Sequence, residues 1–181
     1  MEIRKKLTYQ FIGIVAFILW FSFVAIYVLF SQARKEEFYD RLGSKAKLVA
    51  QMLLDIDEID SELLKRIEKN NPLSLSNEKI VIFNYKNEKI YSTDDGSTLT
   101  FSETRIQQVR MEKELRFRQN NYEIFGQFYA GEFDRIVVFA AATDIFGMNR
   151  LKGLRLIMLI VFVSSLAIVF FVGRLFAIRA L

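Results

Sequence analysis

The stretch LTYQFIGIVAFILWFSFVAIYVLFSQA, from Leu7 to Ala33, runs for 27 residues without an Asp, Glu, Lys or Arg. A helix needs about 20 apolar residues, within a range of roughly 17–25, to cross the hydrocarbon core of a membrane. A second charge-free run, from Leu156 to Gly173, is 18 residues long. The sequence therefore predicts two membrane-spanning helices, over residues 7–30 and 155–174.

A cleaved signal peptide is the alternative interpretation of the first run. Its flank is basic, and Ser31-Gln32-Ala33 loosely fits a small-x-small cleavage site. However, the apolar core of a signal peptide is only about 7–15 residues long. Tyr9 and Tyr27 also bracket the run at the positions expected for an interfacial aromatic belt. These features favour an uncleaved anchor.

Basic residues set the expected orientation of the chain. Arg4-Lys5-Lys6 precedes the first span, and positive charges close to the membrane favour a cytoplasmic N-terminus. Residues 1–6 are then a cytoplasmic stub, residues 31–154 are extracytoplasmic, and the C-terminus returns to the cytoplasm. The second span is less clear by itself, because basic residues flank it at both ends: Arg150, Lys152 and Arg155 outside, Arg174 and Arg179 inside.

The extracytoplasmic segment is nearly neutral. Residues 31–154 contain 19 Lys and Arg against 20 Asp and Glu, a balance of 19 − 20 = −1. The net charge of +4 for the whole chain therefore comes from the flanks of the spans. A nucleic-acid-binding protein carries a basic patch on its folded domain. We therefore expect the lipid bilayer, and not nucleic acid, as a partner.

An apolar stripe continues from the first span. Its members recur at spacings of three and four, which is a helical pattern, so we expect one helix to continue to about Leu54. Packing on its own domain and a homodimer interface are equally weighted interpretations, because two heptads are fewer than a coiled-coil assignment needs. The stripe consists of Phe38, Leu42, Ala46, Val49, Leu53 and Ile56.

The rest of the segment alternates between strand and helix patterns. A short helix around Ile59 to Ile67 ends before Pro72, which disfavours helix in the preceding residue. Ser102 is a suitable N-cap for a helix that reaches Lys113. The predicted fold class is thus an α+β membrane protein with about five antiparallel strands. The strands are expected at residues 79–84, 89–92, 115–118, 122–130 and 135–143.

Enzyme chemistry is poorly provided for in this chain. It contains no histidine and no cysteine, which excludes imidazole and thiolate catalysis and most zinc sites. Its glycines form neither GxxxxGK nor GxGxxG, so no phosphate-binding loop is present. No catalytic residue and no metal ligand is predicted.

Two charged clusters have alternative interpretations. The acidic cluster Asp55, Asp57, Glu58, Asp60 and Glu62 resembles a cation site, but acids at a helix start are ordinary because they complement the helix dipole. For Asp94-Asp95-Gly96, a turn is favoured over a ligand-binding role. Four arginines could receive an anion, although a solvated face is favoured for them: Arg105, Arg110, Arg116 and Arg118. The aromatic residues are expected to be mostly core: Tyr91, Phe117, Tyr122, Phe125, Phe128 and Tyr129.

Two stretches carry a resemblance to a known family. VVFAAATDIFGMNRLKGLRLIMLIVFVSSLAIVFFVGRLFAIRAL, Val137 to Leu181, resembles the last sensor strand, linker, second span and relay entry of bacterial two-component sensor histidine kinases of the Bacteroidetes type. IVIFNYKNEKIYST, Ile80 to Thr93, is similar to the opening strands of PAS-like extracytoplasmic sensor domains. The resemblance extends over essentially the whole chain, which would correspond to the signal-input part of such a kinase.

The resemblance implies a signal-sensing homodimer in the bacterial inner membrane, with a PAS-like domain over residues 31–154. Residues 175–181 would start a HAMP-type relay, whose continuation is expected beyond Leu181. The phospho-accepting histidine and the ATP and magnesium sites are expected only in that further part, which would act on a response regulator. Transmission is expected to pass through Asp144, Gly147, Leu151 and Gly173.

Other outputs remain open from the sequence. The same input region would serve a chemoreceptor or a nucleotide cyclase, and the chain could also be a stand-alone two-span structural or adaptor protein. The signal and the residues that would bind it are not predicted.

Overall fold

The computed structural model describes residues 2–55, 75–94, 99–131 and 135–179. The chain forms two compact units. The helix pair consists of Met1–Arg34 and Phe146–Leu181, and the sheet domain is Lys35–Ile145. The predicted short helix at 59–67, the acidic residues from Asp57 onward and the turn at Asp95-Gly96 lie outside the described residues.

The first helix, α1, is a single element of 54 residues from Glu2 to Asp55. It contains two glycines and no proline, so no residue in it removes a backbone hydrogen bond. The prediction that one helix continues from the first apolar run to about Leu54 is therefore confirmed. The α1 helix belongs to the helix pair over its first part and to the sheet domain over its last.

Among its described residues beyond α1, the sheet domain contains the five predicted strands and one short helix. These are β1 (Lys79–Phe83), β2 (Lys89–Ser92), α2 (Glu103–Glu112), β3 (Glu114–Gln119), β4 (Tyr122–Ala130) and β5 (Arg135–Ala142). All strand neighbours are antiparallel, in the order β2-β1-β5-β4-β3. The predicted strand ends differ from the observed ones by at most one residue.

Local side chains explain where these elements begin and turn. Ser102 caps α2 by accepting a hydrogen bond from Arg105 N at 3.4 Å, as its sequence position predicts. Asn120 lies at φ 55° in the turn between β3 and β4, a left-handed conformation that asparagine tolerates. Asn84 Oδ1 accepts from the backbone N of Lys86 and of Glu88 and fixes the turn after β1.

Apolar side chains cover both faces of the sheet. One face packs against α1, with Ile82 and Val138 at its centre. The other packs against α2, with Phe139 and Val109 fully buried. Because β5 is central and covered on both sides, nearly every residue of RIVVFAAA is buried, and the strand is continuously apolar.

The last helix, α3, runs for 35 residues from Ile145 to Arg179. Both α1 and α3 are long and apolar enough to cross a membrane, over Tyr9–Leu53 and Ile145–Leu175. In the most apolar 18-residue window of each helix, 0% of the residues are buried. The predicted spans at 7–30 and 155–174 fall within these two helices.

Candidate functional site

The apolar stripe of α1 packs on the sheet of its own chain. Leu42, Ala46 and Val49 are almost completely buried, Phe38 is nearly so, and Leu53 contacts the same cluster. Of the two interpretations of the stripe, the structure places these side chains in intramolecular packing. A homodimer through the same side chains would require α1 to leave the sheet.

Gly43 allows a close approach of this helix to the sheet. A Cβ at Gly43 would lie 3.1 Å from Cζ of Phe125 on β4. Contacts of that length force the neighbour to shift, because interiors are packed near van der Waals distance. The absence of a side chain therefore lets the Phe125 ring lie directly on α1, so the helix and strand β4 are tightly joined.

Tyr39 adds a polar contact between α1 and β4. Its hydroxyl donates to Glu123 Oε2 at 2.6 Å. Burial, followed by the hydrogen bond to Glu123, raises the pKa of Tyr39 above its ordinary value of 10.0. Burial and the negative charge of Glu114 likewise raise the pKa of Tyr129 to about 12. Both groups therefore favour the folded state only while their hydroxyls are protonated.

This arrangement predicts an alkaline loss of stability. A raised pKa in the folded state means that the contribution is present below pH 10 and is lost as the pH rises through the folded pKa. Tyr39→Phe should lower the free energy of unfolding by about 1–2 kcal/mol at neutral pH and flatten its decline above pH 10. Denaturant unfolding at several pH values measures both effects.

Tyr85→Phe is the matched control for Tyr39→Phe, because the Tyr85 side chain is exposed. It should leave the free energy of unfolding at neutral pH unchanged. Equal destabilisation by the two substitutions would contradict a role for the hydrogen bond to Glu123.

A buried ion pair also joins α1 to the start of the sheet. Lys45 Nζ lies 3.1 Å from Glu78 Oε1, and both side chains are 10% exposed. Glu78 also accepts a hydrogen bond from Leu75 N at 2.9 Å. Sequence reasoning did not single out Lys45 as a buried residue. Its position beside Ala46, at the edge of the stripe, is the signal that could have indicated burial.

A second buried ion pair lies on the other side of β1. Lys79 Nζ is 2.5 Å from Asp94 Oδ1, and the Asp94 side chain is 2% exposed. The other carboxylate oxygen accepts from Leu99 N at 2.8 Å. Burial by itself lowers the pKa of Lys79, but the hydrogen bond and charge of Asp94 outweigh it, and the pKa is raised. Asp94 is thus a structural anchor for the segment that follows β2.

A small pocket opens beside Asp94. It has a volume of about 250 Å³ and is lined by apolar side chains of β1 and of residues 99–101, together with Lys89, Ser92 and Thr100. Ligand sites for drug-sized molecules are roughly 300–1,000 Å³. The pocket therefore fits only a small molecule. The Lys89 ammonium and the Ser92 and Thr100 hydroxyls line it and could contact polar atoms of that molecule.

Phenylalanine rings fill the α2 face of the sheet. Phe101 stacks on Phe139 with ring centroids 4.1 Å apart, and Phe83 and Phe117 meet Phe139 edge to face. The prediction that the aromatic residues are mostly core is confirmed: Tyr91 and Phe125 are buried, and Phe117, Tyr122, Phe128 and Tyr129 pack against the two clusters.

The four arginines, for which an anion site is the less favoured interpretation, are not brought together. Arg110 donates to the backbone oxygens of Asn84 and Tyr85, and Arg105 lies over the ring of Phe117. On the other face of the sheet, Arg116 pairs with Glu36 at 2.6 Å and with Glu114 at 2.8 Å. Arg118 contacts Asn121. These partners are structural, so the four guanidinium groups form no common site.

The predicted transmission residues lie along the exit from the sheet. Asp144 belongs to the two-residue connection between β5 and α3. Gly147 and Leu151 are buried and lie one helical turn apart on α3. Gly173 is 22 residues beyond Leu151, a distance of about 33 Å along the helix at 1.5 Å per residue. The residues therefore follow one path and do not form a cluster.

A metal site is not found in the described part of the chain. Among residues 2–55, 75–94, 99–131 and 135–179, no three acidic side chains come together in a way that could hold an ion. Most of the acidic cluster at Asp55 to Glu62 falls outside these residues, so the preference for ordinary helix-start acids over a cation site stays a prediction.

Comparisons with known proteins give no relative for this chain. No protein-family model, no curated protein and no solved structure matches it.

Proposed function

We propose that this chain is the signal-sensing and signal-transmitting input region of a two-component sensor histidine kinase. The observation that carries the proposal is the direct connection of the sheet domain to an uncovered apolar helix at each end. The α1 helix enters the sheet domain without a break. Only Thr143 and Asp144 separate β5 from α3. A change in the sheet domain therefore has a short covalent path to both helices.

Membrane insertion of the helix pair is part of this proposal. Water contact with apolar surface costs about 25 cal/mol per Å². The most apolar windows of α1 and α3 have mean hydropathies of 2.6 and 2.9, and no described residue of the chain covers them. A lipid bilayer provides the missing apolar environment. The basic stub at Arg4-Lys5-Lys6 supports cytoplasmic termini and an extracytoplasmic sheet domain in the bacterial inner membrane.

The sheet domain serves in this proposal as the PAS-like sensor. Its five antiparallel strands and the helix packed on each face support that assignment. The pocket beside Asp94 is the candidate entry point for a small signal molecule, because it is a concave site with polar groups at its wall. The proposed kinase half, with ATP, magnesium and the response regulator as partner, lies outside these residues, as does most of the HAMP-type relay.

A homodimer is also part of the proposal. Because the apolar stripe is occupied by the sheet, a second copy would contact other surfaces, such as the side of α1 that exposes Leu48. The subunit number of the purified chain in detergent, measured by mass, tests this part.

If a change in the sheet domain reaches the output through α3, an interruption of α3 should remove the effect of a substitution in the sheet domain. The chain through Leu181 is fused in frame to the relay and kinase region of a histidine kinase, and autophosphorylation is measured in membranes. Leu42→Ala opens a cavity between α1 and the sheet and should change autophosphorylation by roughly 2- to 30-fold, which corresponds to a coupling of 0.5–2 kcal/mol. Four glycines inserted after Gly147 should abolish the effect of Leu42→Ala, because they interrupt α3.

A matched insertion separates transmission from general damage. Four glycines between Asn120 and Asn121 lengthen the exposed turn between β3 and β4 and leave α3 uninterrupted, so they should preserve the effect of Leu42→Ala. If Leu42→Ala changes autophosphorylation equally with and without the insertion after Gly147, the proposed path is wrong. A chimera that does not respond to Leu42→Ala at all would favour the stand-alone adaptor.

A further inference from the structure

A groove separates facing stripes of the helix pair. On α1 the stripe includes Trp20, Phe23 and Tyr27, and on α3 it includes Arg155 and Phe162. Each stripe follows the three-and-four spacing that places side chains on one helical face. The Phe23 and Phe162 rings meet at 6.2 Å, and the Arg155 guanidinium lies 5.9 Å from the Tyr27 ring centre. The groove has a volume of about 480 Å³.

The groove is apolar along its length and positive at one end. Among its described lining residues, Arg155 carries the only charge. Arg150 and Lys152 lie within five residues of it, and α3 contains no Asp or Glu. Within the described part of the chain, no ion pair joins any of these three cations to an acid. An uncompensated positive charge thus stands at the mouth of an apolar channel.

The position of Arg155 fits the boundary of a membrane. It directly precedes the charge-free run from Leu156 to Gly173, so it lies where the hydrocarbon core meets the headgroups. Lipid phosphates occupy the same depth, and guanidinium groups bind phosphate strongly. A free anion would use the cations and leave the groove open, whereas a zwitterionic lipid would fill the groove but balance its phosphate with its own headgroup cation. Only an anionic lipid satisfies both.

We propose that this groove binds one anionic glycerophospholipid, with its phosphate at Arg155 and one acyl chain between α1 and α3. Arg150 and Lys152 add positive charge at the headgroup, and Trp20 and Phe23 contact the chain. The proposal rests on membrane insertion of the helix pair, which is part of the proposed function, but not on any kinase output.

Trp20 provides a direct probe, because it is the one tryptophan in the sequence and lines the groove. The full chain is reconstituted in phosphatidylcholine vesicles that contain the same small fraction of either phosphatidylglycerol or phosphatidylcholine with brominated acyl chains, which quench tryptophan fluorescence. We expect brominated phosphatidylglycerol to quench Trp20 more strongly. Arg155→Gln should lower this preference about fivefold, since one cation near a membrane surface contributes roughly 1 kcal/mol.

Two further variants distinguish lipid binding from structural damage. Arg155→Lys keeps the charge and should keep most of the preference. Arg174→Gln removes a cation near the other end of α3 and should leave the preference unchanged. Equal quenching by the two brominated lipids, or an undiminished preference in Arg155→Gln, would overturn the proposal.

Two remaining outcomes also decide the question. Glycerol phosphate added in solution should not reduce the preference, because it lacks acyl chains, and a full loss would show that the site takes phosphate alone and overturn lipid binding. Absence of quenching by either lipid would overturn this proposal together with membrane insertion. A chimera without signalling would leave the quenching result unaffected, so the two proposals fail separately.

Discussion

Asp94→Ala is expected to lower the free energy of unfolding of the sheet domain by about 3 kcal/mol. Removing one partner of a buried ion pair costs about 3–5 kcal/mol, because the other charge remains without compensation. The lower figure applies because the Lys79 side chain is 18% exposed to solvent, whereas the Asp94 side chain is 2% exposed. The substitution also leaves Leu99 N without its acceptor.

Denaturant unfolding of the purified chain in detergent, followed by near-ultraviolet circular dichroism, measures this change. Asp94→Asn should fall between wild type and Asp94→Ala, since its amide oxygen still accepts from Leu99 N but carries no charge. Glu37→Ala removes an exposed acid from the same domain and should change stability little. If Asp94→Ala costs no more than Glu37→Ala, the ion pair does not hold the segment after β2.

Gly126→Ala is expected to destabilise the sheet domain by about 2 kcal/mol, within the usual cost of overpacking a core. A Cβ at Gly126 would lie 2.7 Å from Phe139 Cε1 and 2.9 Å from Val109 Cγ2. Both neighbours are 0% exposed, so neither can move aside into solvent. The strain falls between β4 and α2, where the sheet and helix are packed together.

A double-mutant cycle tests the cause of this strain. Val109→Ala alone leaves a cavity, but combined with Gly126→Ala it makes room for the new methyl group. The double variant should therefore be more stable than the sum of the two single changes predicts. Gly153→Ala is the control, because no atom beyond its chain neighbours and the backbone of its own helix lies within 4 Å of the position a Cβ would take. If the changes in the free energy of unfolding of the two single variants simply add in the double variant, the contact with Val109 is not the source of the strain.

The strand ends, the start of α2 and the continuity of α1 were predictable because their signals are local. The limits of β4 at Tyr122 and Ala130 follow from the asparagine turn before it and the glycine after it. The start of α2 follows from Ser102, and the continuity of α1 follows from the absence of proline. Each of these signals acts within a few residues, so a single sequence contains all the information needed.

The buried charges were not predictable because their partners are distant. Lys45 meets Glu78, which is 33 positions away, and nothing near Lys45 in the sequence indicates that contact. The sequence predicts Asp94 as a turn residue, and only the fold brings its carboxylate into contact with Lys79 and with Leu99 N. The groove beside Trp20 was missed for the same reason, since it forms only when α1 and α3 lie together.

The position of β5 has a consequence for biogenesis. The β1–β2 and β3–β4 hairpins are local in sequence and can form as soon as they are synthesised. They become one sheet only when β5, the last strand made, inserts between β1 and β4. Until then both hairpins expose an unpaired edge, which is a template for aggregation. Because α3 follows β5 after two residues, the proposed membrane insertion of α3 would have to follow closure of the sheet almost at once.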